Sequence, residues 1–447
     1  MALLEVESLT VSFYTSEGVV TAVDDLSYEI EAGEKFGVVG ESGAGKSVTA
    51  LSLLRLIESP GEIESGSIRF CDADTVESLA ESYPDSVVDV ERLRRESSFD
   101  DVIDRLEQRG VSGADVTGNL EHEGADLHQL YADGELNMRN VVDRGYAVDL
   151  GLIGEEDFIV RDGETCYVEL LRAPEAAVRR LRGNNVAMIF QDAQTALNPV
   201  YTVGEQIAEA IRHHLDYDDE AAKTRGIELL DTVGIPDAEN RYSDYPHEFS
   251  GGMQQRAVIA MALSCDPDVI IADEPTTALD VTTEAKILDL LEELTDEFDT
   301  AVQLITHDLG VVAELCDRVM VMYAGQPVEK SPVEELYYDP KHPYTVGLMS
   351  SIPRIGDDRD RLQTIPGTMP DLIETPSGCR FHPRCPYAER SCQQTEPRLV
   401  EFDDADGRGR SAKCLEYTGD LEGGLDYSVT VESEHVPSER IPGERND

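Results

Sequence analysis

Positive charge is scarce in this chain. Lys and Arg together number 37 in 447 residues against 91 Asp and Glu, a formal net charge of −54, and Lys is rarer than Arg. Nonspecific nucleic-acid binding depends on basic surface that neutralises phosphates, so this balance argues against it. The acid is spread through the chain instead of gathered into one tail. Such self-repulsion keeps a protein soluble but weakens its compact state until salt screens it. The expectation is a salt-rich cytoplasm, as in haloarchaea and other halophilic microbes. Long apolar runs are also missing, so no segment is expected to span a bilayer. The start Met1-Ala2-Leu3-Leu4-Glu5 has neither a basic opening nor a secretory core. The chain is therefore expected to be soluble and intracellular, reaching a membrane only through a partner. No internal repeat is evident. With 40% hydrophobic residues a sizeable core is nevertheless available, and the length predicts one main domain with appendages.

What is present is ordered into a recognisable series. Residues 3–13 alternate apolar and polar, as a half-buried strand does, and a second strand-like run covers 22–30. Lys35-Phe36-Gly37-Val38-Val39 reads as a buried strand feeding a glycine loop, and 47–57 has apolar residues at helical spacing. Residues 71–174 break this regularity. They are strongly acidic, with a helix-like piece at 90–109 and a glycine-punctuated stretch at 111–124, and they carry no nucleotide motif. They are expected to be an insert, and their apolar content favours a small folded subdomain over a linker. Helical stretches then run to about 233, followed by a Ser-Gly-Gly loop with a helix behind it. A strand is expected at 269–272, a helix at 285–298 and a strand at 301–306. Beyond Gly325 a tail of Pro-rich turns and clustered cysteines is expected, ending in an acidic, mobile segment.

Four motifs carry chemistry. Gly40-Glu41-Ser42-Gly43-Ala44-Gly45-Lys46-Ser47 fits the phosphate-loop pattern. Its glycines let backbone N–H groups turn inward around phosphates, and the helix behind it presents its positive end to them. Lys46 would neutralise the terminal phosphates of ATP, and the Ser47 hydroxyl would hold Mg²⁺. A glycine loop can arise by chance, but the strand before it and the helix after it are what a phosphate loop requires. Asp273 and Glu274 end a strand too apolar to face water. Asp273 would position Mg²⁺, and Glu274 would accept a proton from, or orient, the water attacking the γ-phosphate. A carboxylate pair before Pro275 can instead be a helix cap; the preceding strand favours the metal reading. His307 follows the next strand and suits the γ-phosphate, although a lone strand-end His is more often structural. Gln191 can reach Mg²⁺ through its amide oxygen. Phe13 can stack on adenine or equally be a core aromatic.

Ser250-Gly251-Gly252-Met253-Gln254 precedes a helix and offers a second anion-binding end. If it and the phosphate loop are rigid and distant, the economical solution is a two-fold pair in which each loop caps the other's ATP. Asp280, in Ala278-Leu279-Asp280, would then lie at the dimer seam.

Together these residues resemble an ATP-binding cassette ATPase. Gly40–Ser47 is similar to that family's Walker A motif, Gln191 to its Q-loop and Ser250–Gln254 to its signature loop; Asp273 and Glu274 are similar to Walker B, Ala278–Asp280 to the D-loop and His307 to the switch histidine. The resemblance implies an α/β P-loop NTPase core of the RecA-like kind. An antiparallel β-subdomain, a helical subdomain bearing the signature loop, and a small Cys-containing C-terminal extension would accompany it. Residues 1–325 would form the ATPase domain with 71–174 inserted in it, 326–425 the extension, and 426–447 a mobile tail.

The start Leu3–Phe13 with Glu17-Gly18-Val19-Val20 resembles the D-type subunit of oligopeptide/dipeptide importer ATPases, and the narrower resemblance to that family rests on three further stretches. They are Ala196-Leu197-Asn198-Pro199-Val200-Tyr201-Thr202-Val203-Gly204, His342-Pro343-Tyr344-Thr345 with Ser351-Ile352-Pro353, and Gly378-Cys379-Arg380-Phe381-His382-Pro383-Arg384-Cys385-Pro386. Ala193-Gln194 departs from the Pro-Met common in that family, as does the acidic insert. The resemblance implies a peripheral subunit on the cytoplasmic face of the membrane. It would pair with itself or a related ATPase, dock on two transmembrane permeases, and serve an external substrate-binding protein. Import of nickel or another solute, or a soluble repair or translation ATPase, are the alternatives.

Cys71, Cys166, Cys265 and Cys316 are scattered and read as incidental thiols. Cys379, Cys385, Cys392 and Cys414 are clustered, and in a reducing cytosol such a set points to metal over disulfides. Four thiolates suit either Zn²⁺ or a [4Fe–4S] cluster. Some members of the resembling family carry an iron–sulfur cluster here; cluster, zinc and no metal all stay open. His382 would be a ligand only if one Cys dropped out.

Overall fold

The computed structural model describes residues 2–163, 165–191, 193–277, 280–350, 365–402, 409–421 and 423–425. The expected acidic tail 426–447, Ala278-Leu279 and Ser351-Ile352-Pro353 lie outside the described residues. In chain order the strands are β1 Ala2–Tyr14, β2 Val19–Glu31, β3 Lys35–Val39, β4 Gly61–Phe70, β5 Val87–Asp89, β6 Ile159–Asp162 and β7 Thr165–Glu169. Then follow β8 Val186–Ile189, β9 Val269–Asp273, β10 Ala301–Thr306, β11 Arg318–Tyr323, β12 Gln326–Pro332, β13 Val400–Phe402 and β14 Arg410–Ala412. They form two sheets, ordered β2-β1-β4-β7-β6-β5 and β13-β14-β12-β11-β3-β10-β9-β8.

The larger sheet is parallel from β11 through β3, β10 and β9 to β8. Its strands are mostly apolar because both faces are covered, with Gln303 of β10 the buried polar exception at a strand centre. On β9, Ile270 and Ala272 join one core while Val269 and Ile271 join the other, and on β10 Val302 and Leu304 oppose Ala301 and Ile305 in the same way. Each fully buried branched side chain contributes roughly 1.5–3 kcal/mol of transfer free energy, so burial on both faces is what holds the strands in place. Helices Val203–His214, Asp219–Thr232 and Gly251–Ala262 share the first of these cores.

The smaller sheet begins as the long antiparallel pair β1–β2, with β4 on the other side of β1. Residues 71–174 enlarge it. Phe70 of β4 pairs with Val168 and Arg69 with Glu169, so β7 carries the sheet on to β6 and β5. The insert also buries a core of its own, with Val90, Ile103, Leu106, Val141, Val142 and Leu136 among its members. Arg69 ties it to β1. Its guanidinium donates to Glu7 at 2.6 Å, to Glu5 at 3.3 Å and to the Asp143 carbonyl at 2.6 Å. Tyr167 lies between Arg69 and Arg139, each about 5 Å from the ring centroid.

Several local expectations shift. The helix after the glycine loop is Lys46–Leu53, shorter than the 47–57 pattern suggests. Arg55 takes a left-handed φ of 51° and ends it. The 90–109 piece is two helices, Val90–Glu96 and Phe99–Gln108, because Ser97-Ser98 interrupts it. The 285–298 helix begins earlier, as Val281–Phe298, because the Asp280 carboxylate caps it by accepting from the Thr282 and Thr283 N–H groups. Nor is the chain beyond Gly325 a tail of turns alone. β12 pairs antiparallel with β11, and β14 and β13 extend the same sheet. Short strands with Pro at one end leave a weak signal, and only pairing reveals them.

Candidate active site

Parallel strands deliver their C-terminal ends to one edge, where an α/β sheet opens onto its ligand. The register is tight. Val39 of β3 lies opposite Thr306 of β10, Ile305 opposite Asp273 of β9, and Ala272 opposite Ile189 of β8. Gly40, His307 and Glu274 follow three of these ends directly, and Gln191 lies two residues beyond the fourth. Motifs separated by more than two hundred residues in sequence thus meet along one edge.

Gly40, Glu41, Ser42, Gly43, Ala44 and Gly45 turn from β3 into the helix Lys46–Leu53. Two of the glycines are required by close approach. A Cβ on Gly40 would lie 2.3 Å from the Met322 carbonyl, and one on Gly45 2.3 Å from the Ala22 carbonyl. Gly43 meets nothing, but its φ of 84° favours glycine. The Lys46 ammonium is buried at the loop, donating to the carbonyls of Gly40 at 2.8 Å and Glu41 at 3.2 Å. Burial lowers its pKa, opposed by the carboxylates of Glu274, Asp273 and Glu41.

Ser47 Oγ donates to Asp273 Oδ1 at 3.1 Å, so the two oxygens predicted to share a cation do converge. Burial raises the Asp273 pKa, partly offset by the Ser47 hydroxyl. Two hard oxygen donors on a rigid strand end and helix start match what Mg²⁺ accepts. Glu274 sits just beyond, at the left-handed φ of 46° that a non-glycine residue adopts at a cost of about 1–3 kcal/mol. That twist aims its carboxylate among three partners. Gln191 Nε2 donates at 2.9 Å, Thr277 Oγ1 at 2.8 Å, and His307 Nδ1 lies 3.3 Å away. Burial pushes the Glu274 carboxyl up, but the Thr277 hydroxyl, His307 and Lys46 outweigh it and hold the pKa below the usual value. Gln191 is thus found on Glu274 through its amide nitrogen, which leaves its carbonyl oxygen as the donor for a cation.

Phe13 is half-buried against Gly61, where an added Cβ would come within 2.6 Å of its ring. Ser250 caps Gly251–Ala262 by accepting from the Met253 N–H at 3.4 Å, so Gly251 and Gly252 are the first residues of the helix and not a loop before it. Gln254 Nε2 donates to the Pro246 carbonyl at 2.7 Å. Thr283, beside Asp280, comes within 2.8 Å of where a Gly252 Cβ would sit. Among the described residues no hydrogen bond joins Ser250, Gly251, Gly252 or Gln254 to the phosphate loop. The structure therefore assembles one phosphate-loop site and a separate cluster of the signature residues with Asp280.

Cys379, Cys385, Cys392 and Cys414 line one small cavity with His342, Phe381 and His382. Sequence reasoning used His342 only in a family motif and gave it no part beside these thiols. All eight cysteines are free. Burial raises the thiols of Cys385 and Cys414 to about 12. A single tetrahedral zinc with Zn–S of about 2.3 Å sets its sulfurs about 3.8 Å apart. Among the described residues the cysteines form no group of three with ligand atoms within 4.8 Å of one another. The set is spread wider than one zinc ion requires. Nδ1 of His382 faces the Cys379 carbonyl at 2.9 Å. No described helix is long and apolar enough to cross a membrane.

Comparison with known proteins returns matches along most of the chain. Residues 23–138 and 162–277 match the family described as ABC transporter, and residues 328–392 match oligopeptide/dipeptide transporter, C-terminal region. The chain is 39% identical over 400 residues to the oligopeptide transport ATP-binding protein OppD of Haemophilus influenzae, spanning 90% of this chain and 94% of that one. It is 40% identical over 412 residues to a Brucella abortus protein provisionally named a peptide import ATP-binding protein, spanning 92% and 94%. A solved dimeric ATP-binding cassette in a post-hydrolysis state with ADP and phosphate aligns at a TM-score of 0.47 and 18% identity, over 74% of this chain and 98% of that one.

The glycines of the phosphate loop separate by what surrounds them. Gly40→Ala and Gly45→Ala should each weaken ATP binding by about tenfold or more, because backbone carbonyls must move. Gly43→Ala should cost about threefold to fivefold, from φ strain alone. Equilibrium titration with a fluorescent ATP analogue checks the ranking, and equal losses at all three would refute the steric account.

Proposed function

The chain belongs to the ABC transporter family of ATPases and carries the C-terminal region of oligopeptide/dipeptide transporters, and from that premise we propose that it powers an importer of oligopeptides or dipeptides. The observation that carries the ATPase reading is the meeting of Lys46, Ser47, Asp273, Glu274 and His307 at one sheet edge. The names of the relatives support peptides as cargo. We read residues 1–325 as the ATPase domain with 71–174 inserted, 326–425 as the extension, and 426–447 as an acidic tail.

In this reading Phe13 stacks on adenine. The loop from Gly40 through Glu41, Ser42, Gly43, Ala44 and Gly45 wraps the phosphates, with Lys46 swinging from its own loop carbonyls to the terminal phosphates. Ser47, Asp273 and the Gln191 oxygen would hold Mg²⁺, which when bound neutralises charge on the phosphates. Glu274, ionised by its surroundings, orients the attacking water and takes its proton, while His307 steadies Glu274 and reaches the γ-phosphate. Ser250, Gly251, Gly252 and Gln254 cap the ATP of a partner protomer, with Asp280 at the seam. The partner is a second copy or a related ATPase. Beside Gln191, the exposed Phe190, Val200 and Tyr201 support docking on one of two membrane permeases, in a reading that has the chain work at the cytoplasmic face of the membrane. An external substrate-binding protein would deliver the cargo.

Four thiols lining one cavity support a metal there, a [4Fe–4S] cluster with zinc as the alternative. Cys379, Cys385, Cys392 and Cys414 would hold it. The net charge of −54 supports a halophilic setting.

Glu274→Gln should lower hydrolysis by about a hundredfold or more and trap ATP in a stable dimer, seen by size-exclusion chromatography; undiminished turnover would remove Glu274 from the chemistry. Purified without oxygen, the protein should be brown, with about four irons per chain, whereas colourless protein containing zinc would favour the other metal. Its melting midpoint should climb as KCl rises from about 0.1 M to about 2 M, as charge repulsion is screened; a flat response would argue against the salt-rich setting. Uptake of labelled dipeptide by vesicles with the permeases separates peptide cargo from nickel or another solute.

A further inference from the structure

The phosphate loop is held from the side by the C-terminal extension. Glu41 is the second residue of the loop, and residues of the extension contact both its main chain and its side chain. Its N–H donates to Tyr344 Oη at 3.0 Å, and its carboxylate accepts from Arg384 Nη1 at 3.0 Å. Its carbonyl takes the Lys46 ammonium at 3.2 Å. One residue therefore links the phosphate-binding lysine to two side chains more than three hundred positions downstream.

Those side chains are themselves fixed. The Arg384 side chain is 6% exposed, donating through Nε to the Pro366 carbonyl at 2.8 Å and lying 5.7 Å from the centroid of the Tyr323 ring. Tyr344 is fully buried, its ring 4.7 Å from Tyr323 and 5.4 Å from Phe381. Tyr323 ends β11, the neighbour of the loop's own strand β3. This is a wall of tilted and edge-on aromatic rings with an arginine fork on it, and both the fork and the tyrosine hydroxyl reach Glu41.

We propose that Arg384 and Tyr344 are positioning residues for ATP binding, holding Glu41 so that the phosphate loop is already shaped when the nucleotide arrives. A loop held before binding does not lose that conformational freedom on binding, so the contacts act on affinity. Neither side chain bears on the Glu274 carboxylate, so the rate at saturating ATP should be spared. The inference rests on Gly40–Ser47 as the ATP site and does not depend on what the four thiols hold.

The test uses the full chain and a fluorescent ATP analogue. Arg384→Gln should raise the dissociation constant about fivefold, and Tyr344→Phe, which keeps the ring, about threefold, with turnover at saturating ATP within about twofold of the unaltered chain. Arg380→Gln is the control for docking of the extension. Arg380 holds the same module through the Ala324 carbonyl at 2.5 Å and through Asp24, without touching the loop, and it should leave the dissociation constant unchanged. Unchanged affinity in both Arg384→Gln and Tyr344→Phe, or an equal loss in Arg380→Gln, would overturn the proposal. Failure of the unaltered chain to bind the analogue would overturn the nucleotide site itself.

Discussion

A slip of one residue between β9 and β10 would turn every apolar side chain of β9 to the opposite face and carry Asp273 away from Ser47. Close packing opposes it, since Ile270 and Ile271 would each have to repack in the other's core, and Asp273 would be drawn from the strand end. That locked register is the constraint on which the site depends. Phosphate loop, acidic strand end, glutamine and histidine are each short, and several sit in loops that could wander if their strands were loose. With Val39 opposite Thr306 and Ile305 opposite Asp273, their starting points cannot move independently. The strained φ of Glu274 is tolerable for the same reason: its N–H is tied to the Ile305 carbonyl at 2.8 Å, so the twist is imposed by the sheet.

The few cations are used where modules join. Arg69 links the insert to β1, Arg384 the extension to the phosphate loop, and Arg380 the extension to Asp24. Arg318 pairs with Glu34 at 3.0 Å beneath β3, and Arg410 ties β14 to Glu335 at 3.1 Å. Each of these guanidinium side chains is at most 11% exposed. A buried, multiply hydrogen-bonded arginine is less sensitive to screening than a surface pair. In a chain with a net charge of −54, that placement puts the scarce cations where they hold the modules together.

Strands β3, β9 and β10 were legible in the chain because fully buried parallel strands are predominantly apolar runs, and their ends already bore the functional residues. Helix limits were less legible. Periodicity continues past Leu53, but Arg55 ends the helix by its backbone angle, which a hydrophobic pattern does not encode. Gly251 and Gly252 read as loop from their low helix propensity, yet the Ser250 cap and packing near Thr283 draw them into the helix. Thr277 lies three residues beyond Glu274 and was available as a signal. Nothing adjacent in sequence marks Arg384 or Tyr344 as neighbours of Glu41.

Fold class, nucleotide chemistry and the order of the motifs follow from the chain alone. Each depends on short-range pattern: a loop whose glycines admit phosphate, a run of branched residues, a carboxylate pair at its end. Folding was needed to show that residues 71–174 enlarge the β1–β4 sheet, that β12, β13 and β14 belong to the main sheet, and that Tyr344 and Arg384 reach the phosphate loop. Those are contacts between residues tens to hundreds of positions apart, where hydrogen bonds between strand edges and a buried guanidinium select the partner. No local pattern encodes which edge will be free or which carboxylate will be within reach.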